Sequence, residues 1–195
     1  MKVFLVDNYD SFTYNLVHYI ESIINNTVIV KRPPEVDIEL LEEYDVIIFS
    51  PGPGLPSDNN LMYNILKKYY TSKIILGICL GHQAIGEFFG GKLINLNSVY
   101  HGEQHEIYLT DKISQIYNGL NHQFKVARYH SWTIKNTSKF NDVINITSID
   151  MDNQIMSIEH KYYPIFGVQY HPESILTPKG YQILVNFFNS LKAYN

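Results

Sequence analysis

The chain has 195 residues, 45% hydrophobic and 17% charged, with a formal net charge of −4 at pH 7. That length can bury a core of its own, and the composition is that of an ordinary globular protein, which excludes disorder and sets the expectation of one domain over 1–195. The weakly acidic balance and scattered lysines and arginines leave no basic face for nucleic acid, and no stretch reaches the roughly 20 apolar residues of a membrane span.

Read from the N-terminus, apolar runs and helical spacing alternate. Residues 3–6 are strand-like, and 13–24 place Leu16, Val17, Ile20, Ile23 and Ile24 on one side of a helix. A strand follows over 27–30, a short helix over the acidic 37–43, and a buried strand over 46–49. Residues 60–70 carry Leu61, Ile65, Leu66 and Tyr69 at helical spacing, and 74–78 form another apolar strand. This β-α-β-α order predicts an α/β fold with a mostly parallel central sheet flanked by helices. From 92 to 158 the pattern changes to short β-branched and aromatic runs at 107–109, 124–128 and 144–148, which predict an additional antiparallel strand region. The run 165–170 predicts a further strand. Residues 178–191 predict a closing helix with Pro178 in its first turn and Ile183, Leu184, Phe187, Phe188 and Leu191 facing the core.

The only cysteine, Cys79, stands in Gly77-Ile78-Cys79-Leu80-Gly81, between the 74–78 strand and a helix expected over 83–89 that stops at Gly90-Gly91. A lone cysteine is ordinarily a small buried hydrophobe. A strand turning sharply into a helix through G-x-C-x-G is instead the thiol form of a nucleophile elbow, with a helix N-terminus beside the sulfur to favour thiolate. A nucleophile needs a base, and the base an orienting group. Tyr170-His171-Pro172-Glu173-Ser174 supplies both at the end of the 165–170 strand: His171 as acid/base, and Glu173 two residues on, pointing the same way along an extended segment. The third element is Ser50-Pro51-Gly52-Pro53-Gly54, where the 46–49 strand empties into a stiff loop. Such a loop is an ordinary turn when met alone. Beside an elbow it predicts an oxyanion hole from the N–H groups of Gly54 and Leu80. All three elements follow strand ends, where open α/β sheets carry their sites.

With these motifs the chain resembles the class I (triad-type) glutamine amidotransferases, in the group that holds the second components of anthranilate synthase and aminodeoxychorismate synthase. The resemblance covers essentially the whole chain. It opens with Leu5-Val6-Asp7-Asn8-Tyr9-Asp10-Ser11-Phe12-Thr13-Tyr14-Asn15-Leu16 and continues through Ser50–Gly54 and the elbow with His82-Gln83-Ala84-Ile85. It closes with Arg128-Tyr129-His130-Ser131 and Gly167-Val168-Gln169-Tyr170-His171-Pro172-Glu173-Ser174. It implies a flavodoxin-like fold and a glutaminase in which Cys79 attacks the carboxamide of L-glutamine. It also implies that Gly52, Pro53 and Gly54 hold glutamine through the backbone while Gln83, Ser131 and Trp132 recognise its α-amino and α-carboxylate end. Outside the family, Gln83 reads as a polar helix residue and Ser131 as a loop hydroxyl. Trp132 stands where leucine is usual, and Glu103 where many relatives carry lysine. No cofactor and no metal is implied.

The implied partner is a chorismate-binding large subunit that receives ammonia. The triad does the same work for an anthranilate partner, an aminodeoxychorismate partner, or one subunit serving both; the Tyr129–Trp132 region tips the reading to anthranilate. The readings of other kinds are a stand-alone γ-glutamyl hydrolase and a non-catalytic regulatory subunit. One cysteine excludes an internal disulfide, and a start on strand-like residues lacks a basic-then-apolar leader, so the expected location is the cytoplasm.

Overall fold

Runs of four or five Val, Ile, Leu and Phe residues can be buried on both faces only where helices cover both sides of a sheet. In the computed structural model, which describes residues 1–191, the elements are, in chain order, β1 (Val3–Val6), α1 (Thr13–Ile24), β2 (Val28–Lys31), β3 (Val46–Phe49), α2 (Leu61–Tyr69), β4 (Ile74–Ile78), α3 (Leu80–Phe88), β5 (Lys92–Asn95), β6 (Glu103–Leu109), β7 (Gln123–Arg128), β8 (Trp132–Lys135), α4 (Ser138–Val143), β9 (Ile144–Asp150), β10 (Ile155–His160), β11 (Ile165–Val168) and α5 (Gly180–Ser190). Nine strands make one sheet in the order β2-β1-β3-β4-β11-β10-β9-β6-β7, and β5 and β8 form a separate antiparallel ribbon. The first five strands of that order run parallel, and β10, β9, β6 and β7 extend the same sheet antiparallel. No helix among the described residues is long and apolar enough to cross a membrane.

Alternation along β1 shows how the two cores arise. Val3 and Leu5 face one core with Leu16, Val17 and Ile20 of α1 and Ile183, Leu184 and Phe187 of α5. Phe4 and Val6 face the other with Met62, Ile65 and Leu66 of α2 and Ala84 and Ile85 of α3. Helix α1 has no side-chain N-cap bond. A cap is worth about 1 kcal/mol, against about 1.5–3 kcal/mol for each buried Leu or Ile, so the apolar stripe holds this helix in place.

Several sequence expectations shift for local reasons. The second strand lies one residue later than 27–30. The acidic 37–43 segment is a 3-10 helix over Glu39–Glu43, begun by Asp37 accepting the Glu39 N–H (3.0 Å). The 165–170 strand ends at Val168, because the chain leaves the sheet and His171 donates its N–H to Ala127 O of β7 (3.1 Å). The closing helix begins at Gly180, not at Pro178. Turn bonds from Ser174 to His171 O, Thr177 to Ser174 O and Gly180 to Thr177 O occupy the preceding residues. The β5–β8 ribbon, β10 and the six-residue α4, whose cap is Thr137 accepting from the Phe140 N–H (3.2 Å), carry too little periodicity to read from sequence.

The junction of β4 with α3 positions the site. Cys79 adopts φ 50°, ψ −98°, a left-handed backbone that L residues rarely take, and its N–H donates to Val168 O (2.8 Å). The first turn of α3 can lie this close only because neighbouring side chains are missing. A Cβ on Gly77 would stand 2.4 Å from the Gly81 carbonyl carbon, and one on Gly81 would stand 2.6 Å from both Cβ and O of Phe49. Both contacts are with groups that cannot swing away. Gly81→Ala is expected to lower stability by about 1–3 kcal/mol, read as a lower urea midpoint with an unchanged slope.

Candidate active site

The first turn of α3, the 50–54 loop after β3, the β1–α1 loop and the segment after β11 meet at the carboxyl ends of the parallel strands. They enclose a cavity of about 520 Å³ lined by Tyr9, Asp10, Ser11, Phe12, Pro51, Gly52, Pro53, Cys79, His101, Tyr129 and His171.

The opening Asp-Asn-Tyr-Asp-Ser-Phe-Thr run is explained residue by residue. Buried Asp7 accepts from the Tyr9 N–H (3.1 Å) and the Thr13 hydroxyl (2.8 Å), closing the loop on itself, with Arg32 Nε at 3.4 Å. Asn8 ties this loop to the 50–54 loop: its N–H donates to Ser50 Oγ (2.8 Å) and its side-chain amide to Ser50 O (3.0 Å). Tyr9 takes the left-handed conformation, φ 65°. Asp10 accepts the Phe12 N–H (2.8 Å) and faces the cavity.

His171 Nδ1 meets Glu173 Oε1 at 2.7 Å, and both side chains are buried. The route differs from the expected extended segment. Residues 171–174 form a turn, closed by the Ser174 N–H on His171 O, which brings Glu173 back onto the ring. Tyr129 packs edge-on to the imidazole at 4.8 Å between centroids. Burial alone drives the His171 pKa down. The Glu173 charge, then a hydrogen bond to Cys79 and its charge, more than reverse this, so the net value lies well above the usual 6.5. Among the described residues, Glu173 Oε2 has no hydrogen-bond partner. The sulfur is near enough to the ring to raise its pKa.

Asp10, His171 and Glu173 each offer a potential ligand atom, all within 4.8 Å of one another. Burial pushes the Asp10 carboxyl up, and the positive charge of His171 works against that shift. Asp10 and Tyr129 sat inside recognised motifs, but nothing in their spacing announced that they face the imidazole.

The remaining sequence-nominated residues divide. Gly52 and Pro53 line the cavity with Cys79 and His171, whereas Gly54, Leu80, Gln83, Ser131 and Trp132 do not form its wall. Leu80 is the first residue of α3, so its N–H has no partner within the helix. Gly54 adopts φ 78°, and the loop after it is fixed by the Leu55 N–H on Asp58 Oδ2 (2.8 Å). Gln83 is buried with its amide nitrogen turned inward, to Trp132 O (2.9 Å) and Gln169 Oε1 (3.2 Å). Ser131 O accepts the Leu96 N–H (2.7 Å).

The class-I glutamine amidotransferase family model matches residues 4–191. The chain belongs to this family. An anthranilate synthase component 2 from Cyanophora paradoxa is 42% identical over 192 residues, covering 97% of this chain and 99% of that one. The aminodeoxychorismate/anthranilate synthase component 2 of Bacillus subtilis is 35% identical, covering 97% of each. Against the bifunctional protein TrpGD of Thermotoga maritima the identity is 39% over 96% of this chain, which spans 32% of that longer protein. Among solved structures, a Thermoplasma acidophilum protein assigned to GMP synthase superposes with a TM-score of 0.86 over 100% of this chain and 95% of its own, at 22% identity. That likeness shows the shared α/β fold.

Two histidines behind this amidotransferase site are kept neutral. Burial lowers His82 to about 4. Burial and then the charge of Arg128 lower His130 to about 3. As pH falls below about 6.5, the unfolded chain takes up protons that the folded chain refuses at both positions. Stability is thus intact above that pH and declines below it, with a limiting slope of about 1.4 kcal/mol per pH unit for each histidine. Urea melts between pH 7.5 and 5 are expected to show a shallower decline in His82→Leu than in the wild type. Parallel declines would mean that folded His82 carries a proton.

Proposed function

We propose that this chain is the glutaminase subunit of anthranilate synthase, with residues 1–195 acting as a single glutamine amidotransferase domain in the cytoplasm. The observation that carries the reading is Cys79, on a strained strand-to-helix turn, opening into the same cavity as a His171 held by Glu173 at 2.7 Å. The names borne by the full-length relatives support it.

Cys79 Sγ attacks the carboxamide carbon of L-glutamine. The oxyanion that forms is received by the N–H groups of Leu80 and Gly54, and the C–N bond breaks as His171 Nε2 gives its proton to the leaving ammonia. His171, neutral again, takes a proton from water, whose oxygen attacks the γ-glutamyl thioester. The C–S bond breaks and glutamate leaves. Glu173 holds the ring in one tautomer and stabilises its charged form through both steps. Gly52 and Pro53 line the channel for the substrate's side chain. Because the donors of Gln83 are spent on Trp132 O and Gln169, its free oxygen is left to accept from the α-ammonium of glutamine. The Ser131 hydroxyl and the Trp132 backbone take the α-carboxylate.

Ammonia is mostly protonated at neutral pH and loses its nucleophilicity in bulk water. That loss is avoided by delivery to a chorismate-binding large subunit. We infer that docking aligns the Pro53-Gly54 loop with Cys79, so that the subunit alone turns over glutamine slowly. The dual name of the Bacillus subtilis relative keeps an aminodeoxychorismate-forming partner as the second reading.

The test is anthranilate fluorescence from chorismate and glutamine, with the purified chain and the large subunit of the same source. Glutamine-dependent product is expected to fall by on the order of 10³-fold or more in Cys79→Ser, while product from added ammonia persists. Loss of glutamine-dependent product in wild type, with ammonia-dependent product intact, transfers the reading to the aminodeoxychorismate partner. A separate expectation concerns the orienting carboxylate: Glu173→Gln lowers kcat on the order of 10²–10⁴-fold with little change in KM, measured as glutamate release in the assembled complex.

A further inference from the structure

Position 169 is occupied by a carboxamide with no exposed surface, immediately beyond β11 and pinned by its own N–H on Met156 O (2.9 Å). Burying an amide is costly unless its donors and acceptor are met. The only partners offered are unusual ones: Gln169 Oε1 accepts from Gln83, and Gln169 Nε2 donates to Cys79 Sγ at 3.6 Å. The mechanism above makes no use of that donor.

A side-chain amide can be reversed end for end, which would aim an oxygen at the sulfur and repel a thiolate. A chain of one-way hydrogen bonds forbids the reversal. It begins at Trp132 O, a backbone carbonyl that can only accept. That carbonyl accepts from Gln83 (2.9 Å), which turns the Gln83 NH₂ toward it and toward Gln169. An NH₂ facing Gln169 requires Gln169 Oε1 on that side, and so leaves Gln169 Nε2 aimed at the sulfur. The same carbonyl is held by a second donor: Arg128 Nε donates to His130 Nε2 (3.1 Å), which puts the ring proton on Nδ1, and Nδ1 donates to Trp132 O (2.8 Å).

We infer that Gln169 is a catalytic hydrogen-bond donor to the Cys79 sulfur, and that Gln83, itself fixed by the Trp132 carbonyl, is the positioning residue that locks its donor end toward the nucleophile. Gln83 thereby has a duty in addition to meeting substrate. The donor acts on sulfur whenever it carries negative charge, as it attacks and again as the thioester is cleaved, since hydrogen bonds to an ionised partner are the stronger ones.

This inference rests on the glutaminase reading, and iodoacetamide separates the two because it reports on the sulfur without needing glutamine. In the assembled complex, Gln169→Leu is expected to lower kcat for glutamine about tenfold with KM within about twofold, and to slow alkylation of Cys79 at pH 7 by a similar factor. Raised KM with unchanged kcat and unchanged alkylation would overturn the inference, making Gln169 a wall of the substrate site. No change in any of the three would make it filler. A wild type that alkylates readily but never hydrolyses glutamine would instead sink the glutaminase reading. Should Gln169→Leu fail to fold, wild-type protein labelled with ¹⁵N provides the readout. The Gln169 side-chain amide resonances are expected to move when Cys79 is alkylated, and resonances that stay in place overturn the inference.

Discussion

Close approach of one helix to two strands is the constraint on which the site depends. With hydrogen in place of side chains at Gly77 and Gly81, α3 starts almost on top of β3 and β4, and Cys79 is forced into a left-handed backbone between them. That conformation costs a non-glycine residue about 1–3 kcal/mol, a fraction of what the apolar runs on either side contribute by burial. Two consequences follow from the same geometry. Cys79 is brought to the cavity wall, and the first residue of the helix, whose N–H has no partner within the helix, follows it directly.

Around that turn, several polar groups are buried, and most are paired with one another. Arg128 is enclosed with Asp150, Gln154 and His130; Gln83 and Gln169 are enclosed with each other and the sulfur. The guanidinium stands on β7 and its carboxylate on β9, so a buried ion pair ties these antiparallel strands to one another. The parallel half supplies the strand ends. The two halves of the sheet have different jobs, and the site exists where they are joined by β11.

Charge in the cavity is arranged around one imidazole. Glu173 bonds its Nδ1, Asp10 stands nearby from the β1–α1 loop, and Cys79 is near enough to raise its pKa. Placing negative groups on several sides of a buried histidine stabilises its protonated form against the cost of desolvation. The Asn8–Ser50 bonds tie the loop that brings Asp10 to the loop that brings Gly52 and Pro53, so two walls of the cavity are joined.

Much of this was legible in the linear sequence, for a physical reason: strand runs, helix stripes and the glycine-bracketed cysteine are local patterns. Those patterns specify the α/β class, the bounds of β1, α1, β3 and β4, the elbow at Cys79 and the pairing of His171 with Glu173. The carboxylate is close in sequence, yet a turn and not an extended run delivers it, because Pro172 and Glu173 are folded back by the Ser174 bond to His171 O. Contacts between residues far apart in the chain had to wait for the folded molecule. Asp10 and Tyr129 at the imidazole, the inward turn of Gln83, and Gln169 at the sulfur 90 positions from its partner are of this kind. No spacing rule encodes them, since each is set by which strand ends lie side by side and by which end of an amide a distant backbone carbonyl allows to face the sulfur.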